Sequence, residues 1–348
     1  MHRLSKNLKC DRIEIMSKTE ELLKRANQLE SQGAFWEAGE DYKNALLEFN
    51  KSSGFKDKKA LCKKKIREMN LKKANDFKAI TVQHDLSEEE RKQLQQFVDS
   101  FADLGVSEAL KRIGVMSQFC PPYNQIVDAS RRNMPGTFLI ANLSSQDEQG
   151  NLQRDGNDAH LMSYSQNYDI HQRLISNIYL VPIFQKLMEA KLTIETLSDY
   201  FKSTKLFSEN MLKTFDVGLE RFHAHDYVSS MHILAPLFEK TFMDLTGIIG
   251  EADTVGARTQ NGSSDQIWTQ DKTLGEEFLK DEKVRQIWGE NFCEQISFTM
   301  FAPLGYKIRH KIAHGYTPAN EFNFTNNTLL LYFFLVVAAR VKRVEKVK

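Results

Sequence analysis

Acid–base and phosphate chemistry in this chain of 348 residues concentrates in one stretch, Arg309-His310-Lys311-Ile312-Ala313-His314-Gly315. An arginine carries a planar donor fork that matches a phosphodiester and stays charged, and a histidine takes or gives a proton near neutrality. Together they suit metal-free RNA cleavage. A base removes the ribose 2′-hydroxyl proton, a cation stabilises the crowded phosphorane, and an acid protonates the leaving oxygen.

Spacing limits how these residues cooperate. On a helix, His310 and His314 share a face, whereas Arg309 and His314, five steps apart, point roughly 140° apart. One straight helix does not aim Arg309 and His314 at a single point. A two-fold dimer that brings both copies of the motif to one cleft does, and this is the commonest oligomeric symmetry. The same letters also read as an ordinary helix end, with Gly315 as left-handed cap and His314 near the negative end of the dipole.

Arg309-His310, three intervening residues and His314-Gly315 resemble the signature of the HEPN superfamily: an arginine, a polar residue (usually asparagine), a short spacer and a histidine. His310 departs from the commoner asparagine. The run Asp226 to Ser230, followed by His232-Ile233-Leu234-Ala235-Pro236-Leu237-Phe238-Glu239, is similar to a helix of one HEPN subfamily. That subfamily is a domain of unknown function also found in the endoplasmic reticulum membrane-associated RNA degradation protein. Thr273-Leu274-Gly275 resembles a further landmark, while Met243 stands where an arginine is expected. The likeness covers residues 210 to 345. It implies a homodimeric, metal-independent endoribonuclease that leaves a 2′,3′-cyclic phosphate, possible roles in toxicity or phage defence, and an RNA substrate. Arg309 would be the transition-state cation, His314 the general base or acid, and His310 a hydroxyl-orienting or second proton group. The rival reading is a catalytically silent helical adaptor that dimerises or binds a nucleotide or partner through the same fold.

Composition sets outer bounds. A formal net charge of +1 gives no global basic field, which counts against extensive nucleic-acid binding without excluding a local cleft. Cys10, Cys62, Cys120 and Cys293 form no Cys-x-x-Cys pair, so neither a zinc site nor a disulfide framework is expected, and a reducing cytoplasm fits. The start of the chain lacks the apolar core of a signal peptide. The most apolar run, Thr328 to Ala339, is about twelve residues against the roughly twenty that span a bilayer, and reads as a buried core helix. No cofactor, metal or membrane partner is expected.

The chain around the motif reads as all-α. Residues Ser17 to Phe49 read as a helical hairpin with small residues at the interface and a turn near Gly33; it resembles one tetratricopeptide-type repeat or, equally, the first two helices of a microtubule-interacting-and-transport-type bundle, and is a candidate docking point for a protein partner. A lysine-rich helix with one apolar stripe follows, a basic face that suits either solvent or RNA backbone. Ser87 to Glu90 is a capping box, and Ser107 is the expected N-cap of the next helix. From 119 to 160 the texture becomes irregular, with a strand expected at 137–140 and a small hairpin. Asp155, Asp158 and His160 there are explained by loop chemistry without an ion. Helices resume over 168–189, with Pro182 as kink or start, then 193–202, 208–222, 226–247, 278–288 and 292–304. Residues 251 to 270 read as a flexible loop. Asn326 or Asn327 is the expected cap of the last helix, whose tail from Arg340 emerges into solvent. The expected domains are 1–118, an irregular segment 119–160, connecting helices 161–207 and a HEPN-like bundle 208–348.

Overall fold

The computed structural model describes residues 2–51, 54–74, 86–132, 145–146, 152–154, 159–190, 192–250, 255–259, 267–271, 274–315 and 319–345. The protein is all-α, ornamented by two short antiparallel hairpins. It forms two compact units, one of residues 1–84 and 138–159, the other of residues 85–137 and 160–348.

In the first unit, α1 (His2–Ser31) and α2 (Phe35–Asn50) form the expected hairpin, turning at Gly33 with φ +77°. Ala26, Ala38, Tyr42, Ala45 and Phe49 are fully buried between them. The basic helix α3 (Lys56–Ala74) packs against α2 and completes a three-helix assembly. Glu30 of α1 ties it in place, accepting from Lys65, Lys72 and Tyr42. Burial opposes the charge on Glu30, yet those donors hold its carboxyl at about 2. Lys58 and Lys64 of the same helix also sit beside Glu20 and Glu68. Much of the basic face is therefore neutralised within the unit. The hairpin of β1 (Ser145–Gln146) and β2 (Leu152–Arg154) also belongs here.

The second unit starts earlier than the boundary expected at 118. Helices α4 (Glu88–Ala102) and α5 (Val106–Val115) bury Phe101, Leu110 and Ile113 in its core. The expected connecting helices are also part of this core, through Phe184, Leu197 and Phe201. The irregular segment contains a helix, α6 (Tyr123–Arg132), whose Ile126 is buried. The strand expected at 137–140 lies outside the described residues, as do Asp155 and Asp158.

Helix α7 (Ala159–Leu174) widens into a π-type turn, Ile175–Leu180, before α8 (Val181–Ala190). Pro182 supplies the reason: it lacks an N–H and its ring collides with a carbonyl one turn back, so the backbone loosens just ahead of it. Next come α9 (Ile194–Thr204), boxed by Thr193 and Thr196, and α10 (Glu209–His223), capped by Ser208. The long α11 (Tyr227–Gly250) leads to the hairpin of β3 (Val255–Thr259) and β4 (Ile267–Asp271), paired throughout where a loop was expected. The helix expected at 278–288 is two, α12 (Glu276–Lys280) and α13 (Glu282–Trp288). Asp281 interrupts it by turning its carboxylate onto the N–H groups of Lys283 and Val284. Then follow α14 (Glu290–Met300), the motif helix α15 (Ile308–His314) and α16 (Phe324–Glu345).

Helix α16 is the axis of this unit. Every residue from Leu329 to Ala339 is buried, as befits a helix apolar on all sides. Its 18-residue stretch Phe324–Val341 is long and apolar enough to cross a membrane, contrary to the twelve-residue estimate, but 72% of it is buried inside the fold. Its cap is Asn323, whose side chain accepts from the Asn326 N–H at 2.9 Å, in place of the expected Asn326 or Asn327. Likewise α5 opens at Gly105 without a side-chain cap, leaving Ser107 inside the helix.

Candidate functional site

The motif helix is placed by the turn before it. Ser165 of α7 donates to the Leu304 carbonyl at 2.6 Å, and the Tyr306 N–H donates to the Phe298 carbonyl at 2.9 Å. That second bond folds the chain back on α14 so closely that a Cβ on Gly305 would overlap the Phe298 carbonyl. Glycine is required there by close approach. Lys307 then takes a left-handed conformation, φ +54°, and Gly315 closes the helix in the same region with φ +67°.

Helical geometry sorts the seven residues of α15 by face. Ile308 is buried and Ile312 packs on the core, anchoring one side. Arg309 lies on one flank and donates through Nε to Glu239 of α11 at 2.9 Å. Lys311 lies on the other flank and pairs with Glu321. The helix is thus staked on both sides by ion pairs to different elements. His310 and His314 occupy the face opposite the anchors, both exposed, with ring centroids 4.4 Å apart at 60°.

Electrostatics follow from this packing. Desolvation of its ring, then the neighbouring His314, Lys307 and Arg309, push the His310 imidazole below its ordinary value. A neutral His310 at pH 7 accepts a proton, which is what a general base or a hydroxyl-orienting group requires.

Of the three expected site residues, the fold brings His310 and His314 together and turns Arg309 away from them onto Glu239. The spacing argument anticipated this divergence. Spacing within the motif does not indicate the partner of Arg309: Glu239 ends the segment that resembles a HEPN helix, seventy residues away. Met243, one turn beyond it, is 7% exposed and supplies no cation. Also unforeseen is the segment after the motif, where Phe322 stacks on His232 of α11 with centroids 5.2 Å apart. His232 and Glu239 are seven residues apart and so share one face of α11. Among the described residues no group of three or more His, Cys, Asp or Glu stands ready to hold a metal.

Fold and site define an all-α protein with a paired-histidine helix on its surface. No family model matches the chain, and no curated protein or solved structure matches it either.

Proposed function

We propose that this protein is a HEPN-type, metal-independent endoribonuclease acting as a homodimer through its second unit. The observation that carries the reading is the exposed His310–His314 pair on a short helix staked from both flanks, with Arg309 oriented one step away. Rigid placement of this kind suits catalysis, because productive geometry tolerates little displacement. In the proposed reaction the ribose 2′-oxygen attacks phosphorus as a histidine takes its proton. The phosphorus–O5′ bond then breaks and an acid returns a proton to the leaving oxygen. The products are a 2′,3′-cyclic phosphate and a 5′-hydroxyl, with no water, metal or co-reactant consumed. Arg309 uses Nε for Glu239, so the Nη edge of its guanidinium is the edge that would meet the phosphorane. The divergence of Arg309 from the histidines supports a two-fold cleft, in which each copy's arginine serves its partner's histidines.

The test is cleavage of labelled tRNA and single-stranded RNA in EDTA, comparing wild type with Arg309→Ala and His314→Ala at matched fold and oligomeric state. Loss in both variants, by about a hundredfold or more, is expected. Undiminished cleavage by His314→Ala removes this mechanism.

One observation favours a second reading. Glu239 neutralises Arg309, so the site presents less positive charge to RNA than its sequence suggests. A silent adaptor that dimerises through the same surface accounts for that pair as structural. It predicts no cleavage by any form of the protein.

A further inference from the structure

Arg340, where the tail of α16 is expected to emerge into solvent, is partly buried. Its guanidinium Nη2 lies 3.4 Å from the Trp288 carbonyl, a long and weak bond for a charged donor. It stands at a cavity of about 290 Å³, between the end of α5, the start of α14 and α16, with no described residue of the motif helix in its lining. The walls are apolar, built from Met116, Trp288, Phe292 and Val336, and on another side lies Cys120, whose thiol is 3.2 Å from the Tyr332 hydroxyl. Cavities of about 150 Å³ admit benzene, so this one has the volume for an apolar body and a head group.

Charge selects the head group. Among the described residues, Arg340 is the one cation lining the cavity and Glu290 the one acid. Both oxygens of Glu290 are engaged elsewhere, one by Arg285 at 2.7 Å and the other by Asn124 at 2.8 Å. Glu290 is therefore engaged outside the cavity, by an Arg285 that also pairs with Glu294 at 3.5 Å, while among the described residues no carboxylate pairs with Arg340. Beside Arg340, α14 begins at Gly289 without a side-chain cap, so the first N–H groups of this 11-residue helix, at Glu290, Asn291 and Phe292, face the same end. Such N–H groups complement an anion beside an arginine. A single guanidinium balances a single negative charge, which fits a carboxylate better than a doubly charged phosphate.

We propose that this cavity binds a small amphipathic monocarboxylate, its apolar body against Trp288 and Phe292 and its head group on Arg340 and the start of α14. The inference is independent of the ribonuclease reading.

The test titrates octanoate, with octanol as the uncharged control, into the full chain by calorimetry. A second readout is Trp288 fluorescence, with Trp36 and Trp268 replaced by Phe and a bromine-tipped octanoate as quencher. Expected is saturable binding of one octanoate per chain, at least tenfold tighter than octanol. Arg340→Gln, which keeps a donor for the Trp288 carbonyl, should weaken octanoate at least tenfold and leave octanol unchanged. Val115→Trp, a substitution at the exposed rim read by calorimetry alone, should block both ligands while preserving the thermal melt. Absent octanoate binding, equal binding of octanol, or an Arg340→Gln protein that binds octanoate as wild type does would each overturn the proposal.

Discussion

Arg309 shows how one side chain's role depends on its partner. Its Nε bond to Glu239, whose side chain is 15% exposed, orients the guanidinium and also cancels its charge. If the site cleaves RNA, Glu239 is a positioning residue. Glu239→Ala should then lower cleavage about tenfold by freeing the guanidinium, while Glu239→Gln, which still accepts from Nε, should retain most of it. Single-turnover rates at saturating RNA check this; equal loss in both would show that the charge, not the orientation, matters. A second residue-scale outcome concerns pH. Burial pushes the His223 imidazole below its ordinary value, against a smaller opposing effect of Glu195, and its Nε2 is buried without a hydrogen-bond partner. The unfolded chain therefore binds the proton more readily than the folded one, so this contribution to stability is present above about pH 6.5 and lost as pH falls. Melting temperature should drop between about pH 7.5 and about pH 5.5, and His223→Gln should flatten that slope.

At the scale of elements, the motif helix has seven residues, too few to persist alone, and exists because its surroundings impose it. Two devices matter most. Gly305 allows the backbone crossing that reverses the chain after α14, so Gly305→Ala should cost ~1–3 kcal/mol as the overlap is relieved by backbone movement. Asn323 caps the central helix α16, and Asn323→Ala should cost about 1 kcal/mol. Chemical denaturation read by circular dichroism measures both. The first should also disturb the His310–His314 pair, visible as changed imidazole shifts by NMR, whereas the second should leave it alone. That contrast separates a change in stability from a change at the site.

At the scale of the molecule, the proposed two-copy cleft makes oligomeric state the variable to measure. Because Arg309 and the histidines diverge on one helix, a ribonuclease reading needs two copies, and specific activity should rise with protein concentration until the dimer saturates. Sedimentation and cleavage measured over the same dilution series should share one midpoint. Activity independent of dilution in a demonstrated monomer would contradict the two-copy cleft. In the first unit, the basic helix α3 has carboxylate partners of its own. Lys65 and Lys72 are committed to Glu30, so this face offers RNA less than its composition suggests, and salt dependence of any RNA binding should be shallow.

Periodicity and composition were enough to determine that the chain is all-α, that the first helices form a hairpin turning at Gly33, and that the apolar run after 328 is buried. These follow from local spacing, which a helix converts directly into a face. Spacing within α15 likewise showed that His310 and His314 stand together and that Arg309 does not join them. Whatever depends on distant residues was out of reach. The domain boundary near 84, the break at Asp281, the Asn323 cap and the half-buried Arg340 turn on which of several adequate local solutions the packing selects. Glu239 as the partner of Arg309 was decided only by tertiary structure, because an ion pair seventy residues apart leaves no periodicity to read.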